Sequence, residues 1–383
     1  MMLGLLLARA GVEVVVLEKH ADFLRDFRGD TVHPSTLEVI HELGLLEAFL
    51  HRPHQKVPRI EAEVGGRPIV MADFSHLPVR CPYIVLMPQW HFLDFLAQHG
   101  RSLAGFRLLM QVEAQDLLLE AGAVAGVRAA TAEGPLEIRA DLVVAADGRH
   151  SLLRERAGLE VVDFGAPMDV LWMRLTKRPD DPASVLGRIG TGRIFVTLDR
   201  GDYWQCAYVI PKGGYAALRA QSFDAFRDGI LAVAPFVGDR VRELRGWDDV
   251  KLLTVQVNRL RRWHRPGLLC IGDAAHAMSP IGGVGINLAI QDAVAAANLL
   301  APRFAAGIKE EDLAAVQQRR EFPTRMTQRM QLFLQERVIS RVLGARQTPG
   351  IAWPIRLLQW LPLLRRIPAR LIGMGFRPEH LRN

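Results

Sequence analysis

Residues 267–300 read GLLCIGDAAHAMSPIGGVGINLAIQDAVAAANLL, and the reading of this stretch governs the rest of the chain. Leu268 to Ile271 is an apolar run of strand length, Gly272 to Gly285 a glycine-rich connection, and Ile286 to Leu300 a helix with an alanine-rich packing face. That order sets free helix N–H groups beside backbone stripped of side chains at Gly282, Gly283 and Gly285. Such a corner attracts negative charge, so an anionic or electron-accepting ligand is its natural occupant. Asp273, directly after the strand, would repel a bare phosphate. It can accept a ribityl or ribose hydroxyl, orient a water beneath a pyrophosphate, or simply close a turn.

Two other segments end in the same way. Met2 to Ala10 is apolar nearly all round, as in a helix buried on a sheet, and Gly11 can take the left-handed turn that ends it. Val12 to Leu17, interrupted only by Glu13, is a mostly β-branched apolar run that suits a parallel strand covered on both faces. Glu18 then stands at its carboxyl end, where a doubly wound fold places its ligand crevice; it is either a ribose acceptor or an exposed charge. In ADGRHSLLRERAGL, residues 146–159, Asp147 and Gly148 follow the apolar strand of DLVVAADG, and Ser151 can cap a short helix ending before Gly158.

Between these blocks the pattern changes. Pro34 to Leu43 reads as a helix stopped by Gly44, Ile60 to Met71 as a hairpin turning at Gly65 and Gly66, and another helix begins near Gln89. Short strands with glycine turns fill 107–146. Alternating strands fill 162–260, where Tyr203, Trp204 and Tyr208 either line a pocket or pack the core. The fold class expected is α/β, a Rossmann-like parallel sheet with helices, interleaved with an antiparallel-sheet domain and followed by a C-terminal helical segment. The expected division is 1–59, 89–161 and 262–305 for the ligand-binding domain, 60–88 and 162–261 for the substrate domain, and 306–383 for the helical region.

Composition narrows the function. The 383 residues, 49% hydrophobic and 23% charged, can bury a large core. Cys81, Cys206 and Cys270 lack any CxxC or Cys/His metal spacing and read as buried small hydrophobes in a reducing compartment, so no metal site is expected. The net charge of +7 comes from dispersed basic residues without a nucleic-acid-binding signature. No run of 18 apolar residues occurs, so no transmembrane segment and a cytoplasmic location are expected. The tail WPIRLLQWLPLLRRIPARLIGMGF, from Trp353, combines Leu, Trp and Arg as a peripheral membrane contact does, but Pro354, Pro362 and Pro368 divide it, and packing against the body is the expected role. Nothing specifies an oligomeric state.

Taken together, over roughly the first 300 residues, these blocks resemble the class A flavoprotein monooxygenases, typified by para-hydroxybenzoate hydroxylase. The resemblance implies FAD as cofactor and NAD(P)H as co-substrate. It implies that Glu18 holds the adenosine ribose, that Arg28 and Gln89 contact the cofactor near its ribose and phosphates, and that Asp147, Gly148, Ser151 and Arg154, a full D-G-x-x-S-x-x-R motif, serve FAD and NAD(P)H. Gly272 and Asp273 fall on the ribityl and pyrophosphate region, Pro280 beside the flavin ring, and the backbone N–H groups of Gly285, Ile286 and Asn287 at its pyrimidine end. A helix N-terminus there would stabilise the anionic reduced flavin. The activity implied is hydroxylation of an aromatic or other electron-rich small molecule through a flavin hydroperoxide, with no side chain singled out as acid or base. His276 is expected to be structural.

Two departures qualify the resemblance. The strand and G-x-G-x-x-G loop that would stand immediately before Met1 are not in the sequence, which implies either a start at an internal methionine or a chain unable to bind FAD productively. In YWQCAYVIP, Cys206 and Tyr208 stand where a halogenase requires two tryptophans, so halogenation is not expected. A non-oxygenating flavin reductase of the same fold is the remaining alternative.

Overall fold

The computed structural model describes residues 1–24, 31–182, 187–347, 350 and 353–382. The opening helix, Met2–Arg9, is buried from Met2 to Ala8 and ends where Gly11 takes a positive φ of 82°. It lies so close to the strand Val14–Glu18 that a Cβ on Gly4 would stand 2.7 Å from Val16 Cγ2. That strand pairs in parallel with Phe106–Met110. The sequence implied cover on both of its faces. The opening helix covers Val14 and Val16; on the other face Leu17 packs against the main core while Val15 remains 40% exposed.

A second parallel pair, Val143–Ala145 with Leu268–Cys270, continues into an antiparallel strand at His264–Arg265. The meander Glu113–Glu120, Ala123–Thr131 and Gly134–Arg139 supplies the antiparallel strands and glycine turns read from the sequence. Helix Gly285–Leu300 is buried along most of its length and packs between the opening helix and the long helix Glu310–Leu334. Its small residues, Ala293 and Ala295 to Ala297, permit that close approach. The helical run Ile281–Ala306 is long and apolar enough to cross a bilayer, yet 67% of its most apolar window is buried inside the protein, as befits a core helix.

A seven-stranded sheet runs in the order Lys251–Leu253, Met168–Thr176, Tyr203–Pro211, Arg193–Asp199, Gly187–Gly190, Arg59–Val64, Arg67–Asp73. The last two strands are the hairpin foreseen at Gly65 and Gly66. Tyr203–Pro211 separates its side chains by face. Trp204, Cys206 and Tyr208 enter a core beneath helix Phe223–Val233, while Val209 joins Met168, Ile194 and Val342 on the other face, against Ile281. Core packing is therefore the role of Trp204 and Tyr208, and Tyr203 instead lies under the Arg174 guanidinium, 3.7 Å from its carbon. All three cysteines are buried and free, and burial pushes the Cys270 thiol up to about 12.

Candidate functional site

Parallel pairing of Val143–Ala145 with Leu268–Cys270 has a direct consequence for the acids that follow them. Both chains leave the sheet at the same carboxyl edge, which brings Asp147–Gly148 and Gly272–Asp273 together from positions 125 residues apart. Ser151 caps the short helix Leu152–Arg156 as its position suggests, its hydroxyl accepting the Arg154 N–H at 3.1 Å. That helix aims the Arg154 guanidinium across the gap. It donates to the carbonyl of Ala274 at 3.0 Å and to that of Arg149 at 2.9 Å, tying one acid-bearing loop to the other. Asp273 is one-third exposed, with the Arg149 guanidinium 3.7 Å away.

Gly272 has a φ of 58°, and a Cβ there would stand 3.0 Å from that of Ala289. Its N–H donates to Asp292 Oδ2 at 3.0 Å, the oxygen that also meets His276 Nε2 at 2.6 Å. Asp292 Oδ1 accepts from Arg320 Nε at 2.9 Å, and Arg320 in turn faces Glu379. Burial alone would raise the Asp292 carboxyl, but His276 and Arg320 hold it below the usual carboxylate range. His276 is thus a structural member of the loop, its ring centre 4.9 Å from that of Trp263 and tilted by 47°.

The glycine turn Ile281–Gly283 is built by close approach. A Cβ on Gly283 would stand 2.2 Å from Thr31 Oγ1, which donates to the Gly283 carbonyl at 2.8 Å. The Asn287 side chain clamps the same corner. Its oxygen accepts the His33 N–H and the Thr36 hydroxyl, each at 2.8 Å, and its nitrogen donates to the carbonyls of Thr31 and Gly283, each at 3.1 Å. Gly285, Ile286 and Asn287 form the first turn of their helix, where N–H groups point out of the element. Pro280 precedes the turn and is partly exposed.

The remaining expected residues are more dispersed. Glu18 ends the separate Val14–Glu18 ladder and accepts the His20 N–H at 3.0 Å. Gln89 opens helix Gln89–Arg101 just after the strand Ile84–Leu86, which pairs with Thr31–Val32. Arg28 lies outside the described residues. Two groups were missed by sequence reasoning. His33 is fully buried, with Nδ1 2.8 Å from the Ile372 carbonyl. Gln328, Gln331 and Gln335 form a ladder along the long helix. Gln331 donates to the carbonyls of Ser279 and Ile281 and accepts the Ser279 N–H, at 2.9, 3.0 and 3.1 Å. Gln335 reaches the Ser279 hydroxyl at 2.7 Å, and Gln328 the carbonyls of Asn258 and Ala277. Their spacing of three and four residues on one helix was the only available signal.

Strand-end acids on one sheet edge give the chain the ligand crevice of a doubly wound α/β protein. The chain belongs to the FAD binding domain family, whose model matches residues 1–330, and it is a class A flavoprotein monooxygenase. It is 34% identical to the 6-methylpretetramide 4-monooxygenase of Streptomyces rimosus over 95% of this chain and 88% of that protein. It is 30% identical to the rifampicin monooxygenase of Streptomyces venezuelae over 74% of this chain and 58% of the relative. Among solved structures, PqsL, a probable FAD-dependent monooxygenase from Pseudomonas aeruginosa, shares the fold with a TM-score of 0.74 at 23% identity, covering 90% of this chain and 93% of that one. The residues present fit FAD: exposed Gly282 and partly exposed Gly285 leave backbone accessible at a helix N-terminus, and hydroxyl-accepting acids stand at strand ends.

Proposed function

We propose that this chain hydroxylates an aromatic or other electron-rich small molecule, with multi-ring phenols as the substrate class, consuming one NAD(P)H and one O₂ and releasing water and NAD(P)⁺. The observation that carries the reading is the Arg154 bridge, which joins the two acid-bearing loops into one site. The substrate class is suggested by the relatives' names: one is a 6-methylpretetramide 4-monooxygenase, and another, 28% identical, a 12-dehydrotetracycline 5-monooxygenase/anhydrotetracycline 6-monooxygenase.

When bound, FAD supplies the two-electron transfer from NAD(P)H and the activation of O₂. The protein's part in this reading is placement. Glu18 accepts ribose hydroxyls, with Arg28 and Gln89 on the ribose and phosphate side. Asp147 and Gly148 border the cofactor from one loop, Gly272 and Asp273 the ribityl and pyrophosphate region from the other. Pro280 would stand beside the ring, Gly282 and Gly283 would let backbone approach the cofactor, and the N–H groups of Gly285, Ile286 and Asn287 would serve its pyrimidine end. The domain division given from the sequence belongs to the same proposal, supported by a sheet that joins residues 59–73 with 168–253.

The test is NAD(P)H oxidation and oxygen uptake by the FAD-loaded protein across phenols, quinone precursors and polyketides. Coupled consumption with a product one oxygen heavier supports hydroxylation; NAD(P)H oxidation that reduces the substrate without oxygen uptake points to the reductase. Asp273→Ala should lose flavin while remaining folded by circular dichroism. Unchanged FAD affinity would remove Asp273 from the site.

A further inference from the structure

The C-terminal hairpin carries a surface for which the flavin chemistry has no use. Helix Trp353–Trp360, the turn Pro362–Arg365 and helix Arg366–Gly373 lie over Arg67–Asp73, the edge strand of the seven-stranded sheet. Their inner side is fully committed. Ala369, Ile372 and Met374 pack with Phe74 and Leu77, and Gln359 satisfies the open edge by accepting the Val70 N–H at 3.1 Å and donating to its carbonyl at 2.9 Å. Arg365 is held to the carbonyls of Leu358 and Gln359, which fixes the bend.

The outer side is apolar as well. Trp360, Trp353 and Leu363, at 79%, 74% and 67%, are the most exposed large apolar side chains among the described residues, and Leu361 and Ile367 are more than half exposed. Trp353 and Trp360 are two helical turns apart and so share a side, with Arg356 between them. Arg366 and Arg370, one turn apart, flank Ile367. Every exposed side chain described between residues 353 and 373 is Trp, Leu, Ile, Pro or Arg. A helix pair apolar on both sides normally has a partner on both.

Charge identifies that partner. Read along the whole chain, the basic residues look dispersed; in fact residues 337–378 hold eight arginines and no lysine, aspartate or glutamate, whereas the entire chain has a net charge of +7. We propose that this face docks on an anionic lipid surface, with Trp353, Trp360, Leu363 and Ile367 at headgroup depth and Arg356, Arg366 and Arg370 against the phosphates. Each helix has only eight residues, too short to span a bilayer but suited to lying in its interface. A second copy meeting the same face would set arginine against arginine. A protein groove would be met by no polar group except arginine, whereas an interface rich in anionic headgroups requires no directional pattern. The docked hairpin stands next to the candidate site, because the Ile372 carbonyl contacts His33, whose N–H donates to Asn287. Docking itself does not depend on the flavin reading, and its test involves no turnover.

The full chain is sedimented with vesicles of phosphatidylcholine, or of phosphatidylcholine and phosphatidylglycerol in equal parts, at low and at high salt. It should pellet with the anionic vesicles at low salt, be released by high salt, and stay in solution with phosphatidylcholine alone. Trp353→Ala/Trp360→Ala and Arg366→Glu/Arg370→Glu should each weaken partitioning at least about tenfold with the unfolding midpoint unchanged. The proposal is overturned by absence of binding to anionic vesicles at low salt, or by binding that survives both variants. Sedimentation velocity without vesicles that shows a dimer lost in the Trp variant would assign the face to a second copy instead. Retention on immobilised polyglutamate without vesicle binding would assign it to an acidic protein.

Discussion

His33 shows how much can rest on one buried side chain. Burial pushes its imidazole down to about 4, against the opposing effect of the Ile372 carbonyl, so the folded protein holds it neutral. The unfolded chain, with the ordinary value near 6.5, binds more protons between these two pH values, and stability therefore rises with pH across that window. The contribution is complete above about pH 6.5 and is lost as the pH falls toward 4, amounting to about 3 kcal/mol. In urea titrations at pH 7 and pH 4, wild type should lose about 3 kcal/mol more than His33→Gln, whose side chain does not titrate. Equal losses would show that His33 is protonated in the folded state. No local signal in the sequence marks His33, because its burial depends on Ile372 and Asn287, 339 and 254 positions away.

At the scale of elements, the glutamine ladder is what stiffens the glycine connection. Glycines at 282 and 283 permit the turn, but they also leave it with many accessible backbone conformations, and Gln331 removes that freedom through three hydrogen bonds. Gln331→Leu would leave the Ser279 N–H and two carbonyls without those partners. It should cost about 2–4 kcal/mol of stability, read by urea unfolding, and should weaken FAD binding in a fluorescence titration. A stable variant with unchanged FAD affinity would reduce the ladder to a bystander. Elements governed by local chemistry were legible beforehand: the Gly11 stop, the Ser151 cap, the hairpin at Gly65 and Gly66, and the helix beginning at Gln89. The face of Tyr203–Pro211 that carries Trp204 and Tyr208 was not, since alternation gives two faces and only helix Phe223–Val233 decides which is covered.

For the whole molecule, the decisive contact is Arg154 between loops that belong to different strands. Arg154→Ala should raise the FAD dissociation constant at least about tenfold, equivalent to about 1.4 kcal/mol. Arg154→Lys should not restore it, because one ammonium cannot reproduce a planar fork reaching two carbonyls. Unchanged affinity in the alanine variant, measured by flavin fluorescence, would mean the two loops hold their places unaided.

By itself the sequence determined the elements and the chemical types at their ends, because apolar period, glycine stops, caps and strand-end acids act within a few residues. Tertiary structure alone decided which of those ends meet. Parallel pairing carries Asp147 and Asp273 to one edge; Asp292, Arg320 and Glu379 close a buried charge network across 87 residues; and Val15 stays 40% exposed within a run that reads as buried. The reason is physical: propensity and period are local, whereas burial, pairing and the neutralisation of buried charge are settled only between segments distant in the chain.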